Sequence, residues 1–258
     1  MGLSHAHFYT RAPMHPTFSI VVPVYNEADF IPRAVPALIA QMDGIGEPYR
    51  ILIVENGSTD GTVEVAEQVA SGRPVTVMSL DVADYGAAMR YGFLAAEGSW
   101  VVNFDIDYFS ADFLKRVLAL DDVDLVIASK RDPNSEDRRP VLRRFATWVF
   151  NLLLRSILDS KVSDTHGMKA FRHDLVSTLA PSVLSRQDLF DTELVIRAER
   201  AGYRIEEVPV VVEEMRVARS SLVKRVPRTI RGLVRIRRTL ADESLDLAPA
   251  HTPDSDAD

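Results

Sequence analysis

Cysteine is absent from the chain, so neither a disulfide framework nor a thiolate metal site can form. Long apolar runs are missing too. The longest, residues 145–154, is interrupted by Asn151 and bounded by Arg144 and Arg155, and is too short to span a bilayer as a helix. Residues 1–16 hold three histidines but no apolar segment of the kind a secretory signal needs, and residues 1–17 read as a flexible leader. No glycine-rich, Lys- or Arg-bearing phosphate loop follows the first apolar segment, which argues against a nucleotidyltransferase. There is no internal repeat.

What is present fits one α/β domain with a helical extension. Of 258 residues, 47% are hydrophobic and 26% charged, the profile of an ordinary globular enzyme. The net charge of −7 is unevenly spread. Residues 241–258 hold six acids and no Lys or Arg, and read as a disordered acidic tail. Residues 215–240 hold nine Lys or Arg and no acid, a surface suited to anionic contacts. The expected division is therefore leader 1–17, catalytic-type domain 18–215, basic amphipathic helix 216–240 and tail 241–258.

Buried strands are expected at 18–23, 50–55, 75–78, 100–104 and 125–128, with helices at 28–42, 62–70, 87–96 and 111–120 between them. Each strand is a continuous apolar run rather than an alternating one, which implies a mainly parallel sheet covered on both faces. The second half carries helices at 140–158 and 191–201, an extended run at 208–212, and a closing helix starting near Pro227, since proline suits a first helical turn. In parallel sheets ligands gather beyond the carboxyl ends of the strands. Three polar clusters fall there: Tyr25-Asn26-Glu27, Glu55-Asn56 and Asp105-Ile106-Asp107.

Asp105 and Asp107 are one residue apart. Carboxylates so close repel unless a cation or strong donors lie between them, and oxygen-only ligands favour a hard divalent ion such as Mg²⁺ or Mn²⁺ shared with a diphosphate. Asp-x-Asp is also common in solvated turns; its place after a buried strand is what favours the metal. Glu27 and Glu55 can accept hydrogen bonds from a base or ribose, although Glu27 could equally serve the first turn of a helix. Residues 57–60 can be turn-and-cap chemistry only, and Asp60 reads as structural.

The stretches Val22-Pro-Val-Tyr-Asn-Glu27, Glu55-Asn-Gly-Ser-Thr-Asp-Gly-Thr62, Asp105-Ile-Asp107 and Asp164-Thr-His-Gly-Met-Lys-Ala-Phe171 resemble family 2 glycosyltransferases of the GT-A (Rossmann-like) fold. The last of these, with Arg204-Ile-Glu-Glu-Val-Pro-Val210 and Arg216, is similar to the branch that makes polyprenyl-phosphate sugars, the dolichyl-phosphate mannose and glucose synthases. The resemblance runs over residues 18–221. It implies that Pro23, Tyr25, Glu27, Glu55 and Asp105 bind a donor of the GDP-mannose or UDP-glucose type, and that Asp105 and Asp107 hold the divalent cation. It implies that Lys130, Arg131 and Arg216 face the acceptor phosphate, with Asp164 and Lys169 shaping the centre. Asp105, Asp107, Arg131 and Arg216 would then carry the chemistry, and helix 140–158 would lie at a membrane interface. Three positions depart from the family pattern. Glu55-Asn56-Gly57 stands where Asp-Asp-Gly is usual, Tyr108-Phe109 where relatives often place a polar metal ligand, and Asp84 near the place of a basic residue ahead of Gly86.

A lipid phosphate is already anionic and can attack the anomeric carbon without a strong base, so the expected reaction is metal-assisted transfer to polyprenyl phosphate with inversion. A hydroxyl acceptor would need a base, for which Asp188 or Asp191 is the candidate, unless they only cap the helix that begins there. A non-catalytic nucleotide-sugar-binding or membrane-adaptor protein is the third reading; retention of both acids at 105 and 107 counts against it. Lys224, Arg228, Arg231, Arg235 and Arg238 recur at three- and four-residue steps opposite Val226, Ile230, Leu233 and Val234. That face is either solvated or a contact for anionic lipid. A cytoplasmic protein held peripherally at the inner membrane face, with no nucleic-acid partner, is the resulting expectation.

Overall fold

The computed structural model describes residues 15–138, 141–163, 165, 167–186, 189–212 and 222–246. The strands in chain order are β1 (Phe18–Val24), β2 (Tyr49–Asn56), β3 (Val75–Leu80), β4 (Trp100–Asn103), β5 (Leu125–Ser129), β6 (Glu136–Asp137), β7 (Lys169–Arg172), β8 (Ile205–Pro209) and β9 (Val211–Val212). The helices are α1 (Ile31–Asp43), α2 (Thr62–Ala70), α3 (Tyr85–Leu94), α4 (Ala111–Leu118), α5 (Val141–Leu158), α6 (His173–Leu179), α7 (Phe190–Arg200) and α8 (Leu222–Asp246). Seven strands form one sheet in the order β3-β2-β1-β4-β7-β5-β8, and β6 and β9 form a separate small pair. All neighbours in the large sheet are parallel except β7, which runs antiparallel to both β4 and β5.

Alternate strand residues face opposite sides, and each side is covered by its own helices. Ile20, Val22, Ile51, Ile53 and Val102 pack with Ile31, Val35 and Leu38 of α1, Ala66 of α2 and Phe113 and Val117 of α4. Val21, Leu52, Val54, Val101, Leu125 and Ile127 pack with Met89 and Phe93 of α3, Leu175 of α6 and Leu194 and Val195 of α7. Gly92 in α3 is required there, because a Cβ would sit 2.5 Å from a methyl of Val21. The apolar strand runs are explained by this double covering. A third cluster joins Leu154 and Leu158 of α5, Ile196 of α7 and Leu233, Ile236 and Leu240 of α8.

Three sequence expectations are corrected. The closing helix starts at Leu222, ahead of Pro227, because proline in the second turn deprives only one carbonyl of its donor. That helix also continues to Asp246, so the first acids of the expected tail are helical, and Glu243 is paired with Arg197. The strand β7 and the helix α6 were not anticipated at all. The leader to residue 14, residues 213–221 and residues 247–258 lie outside the described residues.

Candidate active site

The parallel strands end at one sheet edge, and β7, running the other way, begins there: Asn103 at the end of β4 is registered with Lys169 at the start of β7. The segments after Val24, Asn56, Asn103 and Ser129 and the segment before Lys169 therefore gather on a single rim.

On one side of the rim, the β1–α1 and β2–α2 loops are sewn together. Asn26, in the left-handed region at φ 54°, accepts from the Thr59 amide at 2.9 Å while its own amide donates to Ser58 Oγ at 2.8 Å. The Glu27 amide donates to Thr62 Oγ1 at 2.9 Å. Asp60 accepts from the amides of Ala28 at 3.2 Å and Thr62 at 3.1 Å, a structural role as expected. Glu27 is buried, and the N-cap position of α1 is Phe30, so Glu27 is not the helix cap. Tyr25 is exposed and Pro23 half-buried. Glu55 is fully buried and accepts from the Ser58 amide and, at 2.7 Å, from Ser79 Oγ. Burial alone would raise its carboxyl, but the hydrogen bonds from Ser58 and Ser79 and from the Ser58 and Gly57 amides outweigh it and hold the group below the usual range. The departure at Asn56 is also structural: its Oδ1 accepts from the Asp84 amide at 2.6 Å, and Asp84 caps α3 through the Ala87 amide.

At the centre, Asp105 and Tyr108 close a tight turn, with the Tyr108 amide donating to the Asp105 carbonyl at 3.0 Å. Asp105 is pushed up to about 6 by loss of solvation and by the charge of Asp107; Lys169 opposes this, Asp191 adds to it and Lys130 opposes it. Since the side chain is still open to water, the like charge of Asp107 is the firmer cause. Beneath, Lys169 is fully buried and donates to Asp191 Oδ2 at 2.7 Å and to the Gly167 carbonyl at 2.8 Å. It does not reach out to an acceptor; it fixes the segment under Asp105. Asp191 is not the N-cap of α7, which is Leu189, but its Oδ1 accepts from the first-turn Thr192 amide at 3.1 Å while its Oδ2 takes Lys169, so it is not a free base. Asp164, Asp188 and Arg216 lie outside the described residues.

On the far side Lys130 approaches Gly167, where a Cβ would meet its Nζ at 3.0 Å and the Tyr108 ring at 3.7 Å. Gly167 has φ +110°, so the close approach and the backbone both select glycine. Arg131 is exposed beside Lys130. With Asp132, Ser135, Arg144 and Trp148 they line a cleft of about 340 Å³ between the β5 end and α5. Ser135 is fixed by donating to the Ser129 carbonyl at 2.6 Å and accepting from the Val210 amide at 3.0 Å.

The sequence model described as Glycosyl transferase family 2 matches residues 19–179. The chain belongs to this family. Glycosyltransferase AglD of Haloferax volcanii is 30% identical over 202 residues, covering 74% of this chain and 32% of AglD, so the chain spans about a third of that relative's length. An uncharacterized glycosyltransferase of Mycobacterium tuberculosis is 31% identical over 194 residues, covering 74% of this chain and 83% of the relative. Among solved structures, glucosyl-3-phosphoglycerate synthase from Mycobacterium tuberculosis, in complex with Mn²⁺, UDP and glucosyl-3-phosphoglycerate, superimposes with a TM-score of 0.63. It is 21% identical, over 87% of this chain and 79% of that one. Mannosyl-3-phosphoglycerate synthase from Rubrobacter xylanophilus gives a TM-score of 0.62 at 20% identity, over 93% of this chain and 78% of that one. The protein is thus a glycosyltransferase with the GT-A fold.

The residues that sequence reasoning missed are Arg144 and Trp148 in the cleft, Ser79 beside Glu55 and Thr62 at the Glu27 amide. Arg144 was visible only as the charge bounding an apolar run. The signal that would have found the α5 face is spacing: Val141, Phe145, Trp148 and Leu152 recur at helical steps and are all exposed, with Phe145 and Trp148 stacked at 5.8 Å.

Proposed function

We propose that the protein transfers a hexose from a nucleotide sugar of the GDP-mannose or UDP-glucose type to a polyprenyl phosphate, with inversion and with a divalent cation. The observation that carries the acceptor is the cationic cleft of Lys130, Arg131 and Arg144, which opens beside the exposed apolar stripe of α5. A phosphate on an isoprenoid chain needs such a pair of surfaces side by side. The α8 helix packs on α5 and exposes Arg228, Arg231, Arg235 and Arg238, which fits peripheral attachment to anionic lipid. Among the described residues, no helix is long and apolar enough to cross a membrane.

The donor set at Asp105 and Asp107 suits Mg²⁺ or Mn²⁺: two carboxylates whose mutual repulsion is relieved by a cation, with the diphosphate completing the oxygen shell. Among the described residues no group of three or more His, Cys, Asp or Glu side chains is arranged to hold a metal, which fits a cation shared with substrate. Bound there, the cation would supply charge stabilisation for the departing nucleoside diphosphate. Mn²⁺ and UDP bound together in the glucosyl-3-phosphoglycerate synthase support this reading. Lys130, Arg131 and Arg144 would fix the acceptor phosphate, arginine by its planar fork. The oriented phosphate oxygen then attacks the anomeric carbon opposite the leaving group, and one displacement inverts it. Glu27 and Glu55 would take hydroxyls of the nucleoside, with Tyr25 and Pro23 beside the base.

A small soluble acceptor is the second reading, favoured by the fact that the cleft would also take the phosphate of a phosphorylated acid. Transfer assays with a nucleotide-sugar panel, against short polyprenyl phosphates and against phosphoglyceric acid, separate the two. Product extracted into organic solvent is expected; product only with the soluble acid would overturn the lipid assignment. Asp107→Ala is expected to lose most turnover at unchanged melting temperature, and full activity in excess chelator would sink the metal assignment.

A further inference from the structure

We infer that α8 is a positioning element for the segment 183–186 at the rim of the active site, acting through Glu243, Arg197 and Glu193. The inference holds whichever acceptor the enzyme uses. Segment 183–186 precedes α7 and borders the donor side: Arg186 Nε lies 3.9 Å from Asp84, whose amide is held by Asn56 at the end of β2. Of its side chains only Val183 is seated in the core, in the cluster that includes Phe93 and Phe190, while Leu184 is exposed. Ser185 is buried, and its hydroxyl has no partner among the described residues.

What holds the segment is Glu193. Its carboxylate accepts from the Leu184 amide at 3.1 Å and the Ser185 amide at 2.7 Å. The same carboxylate accepts from Arg197 Nε at 2.9 Å. Arg197 in turn makes a two-pronged pair with Glu243 of α8, at 2.7 and 2.9 Å. Glu193 and Arg197 are both buried, so the link between them is shielded from water, where charge-assisted hydrogen bonds are strongest and most directional, while Glu243 closes the chain from the surface. A second connection runs alongside. Leu189, following the segment, packs on Leu233 and Ile236 of α8. A Cβ on Gly232 would lie 2.2 Å from a Leu189 methyl, so any larger residue there would have to displace the Leu189 side chain. Removing Glu243 leaves Arg197 with one carboxylate instead of two, free to pull Glu193 away from the two amides. Arg197, Glu193 and Glu243 are therefore positioning residues for the segment 183–186.

Hydrogen exchange on the full chain tests this without any substrate. Glu243 is partly exposed, so Glu243→Ala should fold and melt near wild type. Exchange of the Leu184 and Ser185 amides should quicken about tenfold or more, with β1, β2 and β4 unchanged. Glu243→Gln, which keeps one acceptor, should fall between. In transfer assays Glu243→Ala should lower kcat while donor KM stays within about twofold. Unchanged exchange at Leu184 and Ser185, or quickening spread equally over the central strands, overturns the inference.

Discussion

Lys169 puts a charge where the surrounding chemistry would normally forbid one. It is fully buried, and it is tolerated because Asp191 and the Gly167 carbonyl accept hydrogen bonds from its ammonium. Lys169→Met should cost about 3–5 kcal/mol, since it leaves Asp191 buried without a counter-charge. Lys169→Met/Asp191→Leu should recover much of that loss in denaturant melts while remaining poor in turnover. Glu55 makes a different prediction. Its native carboxyl is lowered, so the folded state binds fewer protons than the unfolded chain. Its stabilisation is present above the unfolded value of about 4.3 and fades as pH falls through the lowered native value. Glu55→Gln should therefore be less stable than wild type near neutrality, and the gap should narrow in acid. Neither partner set could be read from the sequence. Glu55 was recognised as a site acid from its place after a strand, but that Ser79 holds it depends on β3 lying alongside β2.

The two helices α5 and α8 divide the expected membrane contact between them. The sequence reading gave it chiefly to the basic face of α8 and placed Val226, Ile230, Leu233 and Val234 on the packed side. In the structure Leu233 is buried with Ile236 and Leu240, while Val226 and Ile230 stay exposed. The larger exposed apolar stripe is that of α5, with Val141, Phe145, Trp148 and Leu152. Flotation with anionic liposomes should distinguish their parts. Replacing Arg228, Arg231, Arg235 and Arg238 by Gln should weaken binding at low salt, at about 1 kcal/mol per residue. Phe145→Ser/Trp148→Ser should weaken it at every salt concentration. The helix itself was legible to within a residue, because a run of apolar residues without proline admits little else. Its orientation was not, since a helix apolar on most sides does not declare which side is covered. β7 was missed for another reason: Lys169-Ala-Phe-Arg172 is short and charged at both ends, and only its two neighbours make it a strand.

Across the whole molecule, the alternation of apolar runs and helices was enough to foresee a parallel sheet with its ligands at one edge, because that arrangement follows from local pattern. The antiparallel strand does not follow from local pattern, and its position sets an order of events. While the chain is being made, β4 has one free edge until β7 arrives, 69 residues after Asn103. At ~5–20 residues/s that gap lasts roughly 3–14 s on the ribosome. Through that interval Val101 and Val102 sit on a largely apolar strand with one edge unpaired, the kind of edge that recruits strands from other chains. A chain stopped after residue 163 should therefore accumulate as aggregate, though it holds the first six strands and both acids of the proposed metal pair, and sedimentation of released chains would show it. The strand that delivers Lys169 beneath Asp105 is thus also the one that closes the nascent sheet, so the site cannot be completed before the chain becomes safe from its neighbours.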